Sequence, residues 1–200
     1  AIGAALAGSR PVVEIMFMDF ITLAADPLIN MAAKLRYVFG KQARCPLVLR
    51  TPAGGGRCYG PTHSQSLEAL FAHVPGLKVV APSYPADARC MLQAAIRDDN
   101  PVLFVEHKLL YRQTGEVPAT DERVSMDQAR IVRPGKDVTI AAWSYMTLEA
   151  EAAAAVLAEQ GVQAEVVDLR TLHPIDIETV AGSVKNTRRL VVVEEGCQTG

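Results

Sequence analysis

Short runs of Val, Ile and Leu recur along this chain and alternate with segments of helical period, and that alternation constrains the fold more than any other feature. The runs are Val12–Phe17, Leu47–Arg50, Lys78–Ala81, Val102–Val105, Val138–Ala142, Ala164–Leu169 and Leu190–Val193. Each is nearly continuous in branched apolar residues, as expected of parallel strands covered on both faces. The intervening segments carry helix punctuation. Asp26 and Pro27 suit an N-cap and first helical position, Gly40 suits the exit, and Leu28, Ala32, Leu35 and Phe39 fall on one face. Pro85 opens a helix in which Ala88, Met91, Leu92, Ala95 and Ile96 recur at helical spacing. Ser144 suits the cap of an Ala-rich helix that runs to Gln160 and is closed by Gly161, and a further helix follows Pro174. The β-α-β-α order predicts an α/β protein built on parallel sheets.

The chain has 200 residues, enough for one large or two smaller domains. The polar stretch Arg112–Arg123 carries Gly115 and Pro118 and has no sustained period, which is the pattern of a linker. The reading therefore places a first domain at 1–115, a linker at 116–133 and a second, incomplete domain at 134–200. The chain opens without Met on Ala1–Gly8, which reads as the last turns of a helix. It stops at Gly196–Gly200, directly after an apolar run where another helix is expected, so both ends read as cut. Hydrophobic residues make up 50% and charged residues 21%, well outside the disordered range. The balance of 20 Lys+Arg against 22 Asp+Glu provides no broad positive field for nucleic acid. No apolar stretch approaches the ~18 to 20 residues of a membrane span. Cys45, Cys58, Cys90 and Cys197 are scattered without zinc-ligand or disulfide-scaffold spacing, which suits a reducing compartment.

The densest unusual stretch, Thr51–Ser66, follows a buried strand and holds Gly54, Gly55 and Gly56 ahead of Gly60-Pro-Thr-His63. Open α/β sheets bind ligands at that end of their strands. The loop lacks the Gly-Lys-Ser/Thr of a phosphate loop and the spacing of a dinucleotide fingerprint. It reads either as a ligand loop or as a mobile surface loop. His63 lies on it where an imidazole could serve proton transfer, whereas His73, His107 and His173 read as structural. Phe17, Met18 and Phe20 flank Asp19 at a strand end, either as core or as an apolar platform for a flat heterocycle. Arg97–Pro101 is a turn whose carbonyls could coordinate a hard cation or simply face water. Glu194 and Glu195 read as an exposed strand end.

Taken together, several phrases resemble the beta subunit of thiamine-diphosphate-dependent 2-oxo acid dehydrogenases, the decarboxylating first component of the pyruvate and branched-chain complexes. They are Arg10–Phe20, Ile29–Lys34, His63–Val80, Ala95–Pro101, Val167–Pro174 and Val193–Gly196. The resemblance implies a pyrimidine-binding α/β domain, a linker and a partial transketolase C-terminal-type domain. It implies oxidative decarboxylation of pyruvate or a branched-chain 2-oxo acid with acyl transfer to lipoamide. Phe20 would pack on the cofactor's aminopyrimidine, and His63 would be the active-site histidine. Leu47, Ala95, Ile96 and Asp98, with Asn100 beside them, would offer a monovalent cation site, usually for potassium. Magnesium and the diphosphate would be held mostly by an alpha subunit in a heterotetramer, with a lipoyl acyltransferase core beyond it. The glutamate that promotes cofactor activation lies upstream of Ala1 in that family, so this polypeptide alone is expected to be inactive. Without its alpha partner it is expected to self-associate.

Two departures bear on these expectations. Pro27 stands where the family has a helix-compatible residue, and the loop Ala53–Tyr59 differs from the common Pro-Asn-Gly-Ala form. Leu110–Arg112 and Gly115–Pro118 look closer to the branched-chain type. A transketolase or deoxyxylulose-phosphate-synthase-like enzyme shares the Gly60–His63 pattern, and a non-catalytic fragment is the rival from another class. The compartment would be the cytoplasm of a bacterium or the mitochondrial matrix of a eukaryote.

Overall fold

The computed structural model describes residues 1–118 and 125–198. A short helix α1 (Ile2–Leu6) precedes β1 (Val12–Glu14), and a 3-10 stretch (Met18–Ala24) and a π-helical stretch (Pro27–Ala32) lead to α2 (Leu35–Val38). Then come β2 (Val48–Ala53), α3 (Glu68–Ala72), β3 (Lys78–Val80), α4 (Pro85–Arg97), β4 (Val102–His107) and a 3-10 turn at Lys108–Arg112. The second half contains β5 (Arg130–Arg133), β6 (Val138–Ala142), α5 (Tyr145–Glu159), β7 (Ala164–Asp168), β8 (Thr171–His173), α6 (Ile177–Thr187) and β9 (Leu190–Val193). Two sheets result, ordered β1-β2-β4-β3-β8 and β5-β7-β6-β9. All pairings are parallel except β8 on β3 and β5 on β7. The α/β expectation holds.

The apolar runs are continuous because both faces of the first sheet are covered. Leu49, Leu103, Val105 and Val79 point into one core with Met18, Ile21, Phe71 and Leu77. Their neighbours Val48, Val102, Phe104 and Val80 point into the other, against Met91 and Ala95 of α4. In the second sheet Ile140, Ala142 and Val166 pack on Ala150 and Ala154 of α5. The small side chains of that Ala-rich helix let it lie close to the strands. Pro85 opens α4 as predicted, and Gly161 closes α5 in the left-handed conformation (φ +83°) that favours glycine.

Several predicted elements are redrawn. The first strand ends at Glu14 rather than Phe17, because Met18 and Ile21 are fully buried by a 3-10 turn instead. The expected helix from Asp26 to Gly40 is broken. Asp26 is itself helical and does not cap, its Oδ1 accepting instead from Asn30 Nδ2 at 2.6 Å. The backbone then runs through a wide turn in which Ala33 N–H reaches Leu28 O, the i→i+5 pattern of a π-helix. Ser144 stands at the start of α5, but its buried hydroxyl makes no capping bond. Asp176 caps α6 through Thr179 N–H at 3.0 Å. The last four residues of the span read as linker form β5, while residues 119–124 of that span lie outside the described residues.

The two halves share more than a connection. β8 comes from the second half yet closes the edge of the first sheet, through Val79↔His173 and Val80↔Thr171. Beside it, Ser83 Oγ donates to Asp168 Oδ1 at 2.9 Å, and Tyr84 Oη donates to Glu151. Arg170 and Arg130 both reach Asp87 of α4, at 3.2 and 2.7 Å. Asp168 is fully buried, and burial pushes its carboxyl up from 3.8 to about 6, Asp87 adding to the shift while Ser83, the Arg170 N–H and Arg130 oppose it. The folded state thus holds the proton more tightly than the unfolded chain does. The neutral acid's contribution is complete below pH ~4 and is lost as pH rises through ~6. Asp168→Asn is therefore expected to gain on the wild type by about 2 kcal/mol between pH 4 and pH 7. Denaturant unfolding of both proteins across that range checks this, and a pH-independent difference would refute it.

Candidate active site

The carboxyl ends of β1, β2 and β4 face the same side of the first sheet and carry the unusual segments. Burial of Met18 and Ile21 turns Asp19 to meet the Thr51–Ser66 loop. Its Oδ1 accepts from Gln65 N at 3.2 Å and Gln65 Nε2 at 2.9 Å. Leu67 N–H reaches Met18 Sδ at 3.3 Å, and Gly54 N–H donates to Gln65 O at 3.2 Å. These bonds fold the loop back over the strand ends.

The consequence is a cage around one imidazole. His63 stands edge-on to Phe17, with ring centres 4.9 Å apart, and edge-on to Phe20 at 5.3 Å. Tyr59 closes on Phe17 at 6.0 Å. Such perpendicular contacts are favourable for aromatic rings. His63 Nδ1 shares a 3.0 Å hydrogen bond with Thr62 Oγ1, and Lys108 Nζ donates to the His63 carbonyl at 2.6 Å. Lys108 is buried, its ammonium 5.2 Å from the Phe17 ring centre, and burial lowers its pKa although Asp19 and Glu195 oppose the shift. Phe20 nevertheless stays 39% exposed, which leaves apolar surface free beside the imidazole. The structure thus brings together Phe20 and His63, 43 positions apart in the sequence.

The second half reaches this site through Glu195. Its Oε1 accepts from Gly55 N–H at 2.8 Å, and its Oε2 lies 2.6 Å from His107 Nε2. Trp143 Nε1 donates to Glu68 Oε1 at 3.3 Å, and burial raises the pKa of that carboxyl. Glu194 and Glu195 follow β9 and are exposed, as expected of a strand end, but the Glu195 carboxylate also engages Gly55 and His107 at the junction. Asp19, Lys108 and Glu195 were missed as site residues. Lys108 carried one usable signal, a charge three positions past the buried run Val102–Val105, at the carboxyl end of a strand.

The predicted cation ligands meet other partners. Arg10 donates from Nη1 to Ile96 O at 3.0 Å and Asp98 O at 2.8 Å. Leu47 O accepts from Val102 N–H at 2.8 Å and Ala95 O from Asp98 N–H at 3.2 Å. Asn100 Oδ1 accepts from Arg36 at 3.0 Å. Every one of these oxygens has a donor from the chain, and a guanidinium lies against two of them.

A mostly parallel sheet whose strand ends gather aromatic rings around a histidine, with a second α/β unit folded against it, makes this a two-module α/β protein. The transketolase pyrimidine-binding domain model matches residues 1–114, and the transketolase C-terminal domain model matches residues 127–200. The chain belongs to this transketolase-type family. It is 52% identical over 195 residues to the acetoin:2,6-dichlorophenolindophenol oxidoreductase subunit beta of Cupriavidus necator, covering 98% of this chain and 58% of that one. It is 47% identical to the pyruvate dehydrogenase E1 component subunit beta of Rickettsia felis (98% and 60%) and 44% identical to the 2-oxoisovalerate dehydrogenase subunit beta of Bacillus subtilis (100% and 61%). The chain thus spans about three fifths of the length of these relatives. Among solved structures, a split-gene transketolase in an inactive beta4 tetramer superposes with a TM-score of 0.81 at 28% identity, covering 98% of this chain and 61% of that one. A transketolase variant from Pichia stipitis shares the fold, with a TM-score of 0.69 at 20% identity, covering 96% and 28%.

Proposed function

We propose that this chain is part of the beta subunit of a thiamine-diphosphate-dependent 2-oxo acid dehydrogenase component, carrying out oxidative decarboxylation with acyl transfer to lipoamide. The observation that carries the reading is the packing of Phe17 and Phe20 edge-on to His63, with Tyr59 closing on Phe17. The half-exposed face of Phe20 suits a flat aminopyrimidine, and Asp19 Oδ2 is buried without a hydrogen-bond partner close by. When bound, thiamine diphosphate supplies the electron sink for decarboxylation. The chain's own residues orient and protonate. Phe20 would position the ring, the aromatic side chains would exclude water, and His63, held by Thr62 and Lys108, would move a proton at an imidazole nitrogen.

Magnesium fits this chain poorly, since no group of three or more His, Cys, Asp or Glu converges among the described residues. We assign magnesium and the diphosphate to an alpha-type partner. A monovalent cation also fits poorly on the Leu47–Asn100 oxygens, which Arg10, Arg36 and backbone donors already engage. Partner binding is supported by exposed apolar side chains between residues 16 and 39, among them Leu23 at 85% and Tyr37 at 89%. A lipoyl acyltransferase core completes the proposed assembly.

The full-length chain, co-expressed with its alpha-type partner, is expected to decarboxylate pyruvate or 3-methyl-2-oxobutanoate with an artificial electron acceptor, dependent on thiamine diphosphate. The 52% identity to an acetoin oxidoreductase subunit supports acetoin as a second substrate class, so it belongs in the same assay. Turnover of sugar phosphates alone would overturn the reading in favour of a transketolase-like enzyme. Absence of cofactor binding would favour a non-catalytic paralogue.

A further inference from the structure

Three segments distant in sequence converge on one carboxylate. Glu195, just past β9, accepts the Gly55 N–H of the Gly-rich loop through one oxygen and faces His107, at the end of β4, through the other. The Leu109 N–H donates to His107 Nδ1 at 3.2 Å, which makes that nitrogen an acceptor and places the ring proton on Nε2. The imidazole therefore donates to Glu195. His107 is buried and stacks on Tyr145 of α5, with ring centres 4.9 Å apart and planes 17° from parallel. The next residue, Lys108, donates to the carbonyl of His63. A continuous path of hydrogen bonds and covalent backbone thus runs from the second module, through the His107-Lys108 pair, to the backbone of His63.

We propose that Glu195 is a positioning residue through which the C-terminal module holds His63 in place beside Phe20. The inference rests on the reading of His63 as the active-site histidine. Glu195 acts on two supports at once: the Gly55 N–H sets the Gly-rich loop, and His107 sets the start of the turn that carries Lys108. Its side chain is 30% exposed against 5% for His107, so the bond to the buried imidazole is the better shielded of the two. Without the carboxylate, His107 keeps its stack on Tyr145 and the Leu109 N–H bond but loses the Nε2 bond that ties its ring to the second module. Lys108 then carries a buried ammonium whose donation to His63 is free to lengthen.

The test uses the full-length chain in complex with its alpha-type partner, as wild type and as Glu195→Ala, Glu195→Gln and Lys108→Met. Glu195→Ala is expected to lower kcat about 10- to 100-fold, the cost of a displacement near 1 Å at a catalytic group. KM for the 2-oxo acid should stay within about threefold, because a positioning loss acts mainly in the transition state. Glu195→Gln keeps an acceptor oxygen for one of the two donors and is expected to recover most of the lost kcat. Lys108→Met should reproduce the Glu195→Ala pattern. A second readout needs no turnover: the rate at which diethylpyrocarbonate modifies His63, followed by peptide mass. That rate should rise several-fold in Glu195→Ala and in Lys108→Met as the cage loosens. Unchanged kcat and unchanged His63 reactivity in Glu195→Ala, even with a lowered unfolding temperature, would overturn the proposal in favour of a purely structural contact. If Glu195→Ala does not fold, Glu195→Gln and Lys108→Met decide the question by the same two readouts. A wild-type complex that turns over no 2-oxo acid would defeat the functional reading instead, and His63 reactivity would still judge the brace.

Discussion

His63→Ala is expected to lower kcat of the assembled enzyme by about two to four orders of magnitude, the range for removing a positioned proton-transfer group. Cofactor affinity should change little, because the apolar face assigned to the aminopyrimidine belongs to Phe20 and not to the imidazole. The cage predicts the fold of the variant as well. His63 lies on the loop rather than in either core, and its backbone keeps the Lys108 bond when the side chain is truncated. The unfolding temperature should therefore stay within a few degrees of the wild type, by the size scaling of unfolding for a chain of this length. Measuring kcat, cofactor affinity by calorimetry and unfolding temperature on one preparation separates the cases. Full turnover in His63→Ala would remove the histidine from the chemistry. A collapse of cofactor binding would make it a structural part of the ring platform.

Gly54→Ala should be the most damaging single methyl group at the site. Gly54 adopts φ +87°, and a Cβ placed there would lie 1.9 Å from His107 Nε2 and 2.8 Å from Glu195 Oε2. Neither neighbour yields cheaply, because each is the other's hydrogen-bond partner. Left-handed strain and overpacking together are expected to cost about 3 kcal/mol. That corresponds to a fall of roughly 6–12 °C in unfolding temperature for a chain of this size. Gly40→Ala is the matched control. Its φ is +55°, but nothing lies within 4 Å of the added carbon, so only the conformational part applies. Equal losses in the two variants would show that the close approach to His107 contributes nothing.

The strands were legible because each had a cause confined to its own residues. β6 was expected at Val138–Ala142 and occupies those positions, since a strand covered on both faces is apolar at nearly every residue, and its one polar side chain, buried Thr139, is hydrogen-bonded to Ser183 and Thr187. β5 and β8 were not legible. Each is three or four residues long, antiparallel and mixed in polarity, and each exists because a distant strand offers it an edge. The broken helix before Gly40 was half legible: Pro27 stood out, but the buried Leu28 and Ala32 are spaced as an ordinary α-helix would space them and gave no sign of the π-helical turn. In the site, resemblance to a family pointed to Phe20 and His63. The residues that hold them were hidden by distance, since Lys108 reaches 45 positions back to His63 and Glu195 reaches 88 back to His107. Arg10 was hidden likewise, 86 positions from Ile96.

The strand that β8 lends to the first sheet also bears on how such proteins are recombined. A chimera joined in the linker, taking its C-terminal module from a relative, would replace the outermost strand of the N-terminal sheet along with that module. The hydrogen-bonding edge of β3 would then depend on a donor strand that had diverged alongside a different neighbour. A mismatched donor leaves that edge open to pairing with other chains. The unit of exchange set by backbone hydrogen bonds is therefore the N-terminal sheet together with Thr171–His173, a discontinuous piece that no single crossover can transfer.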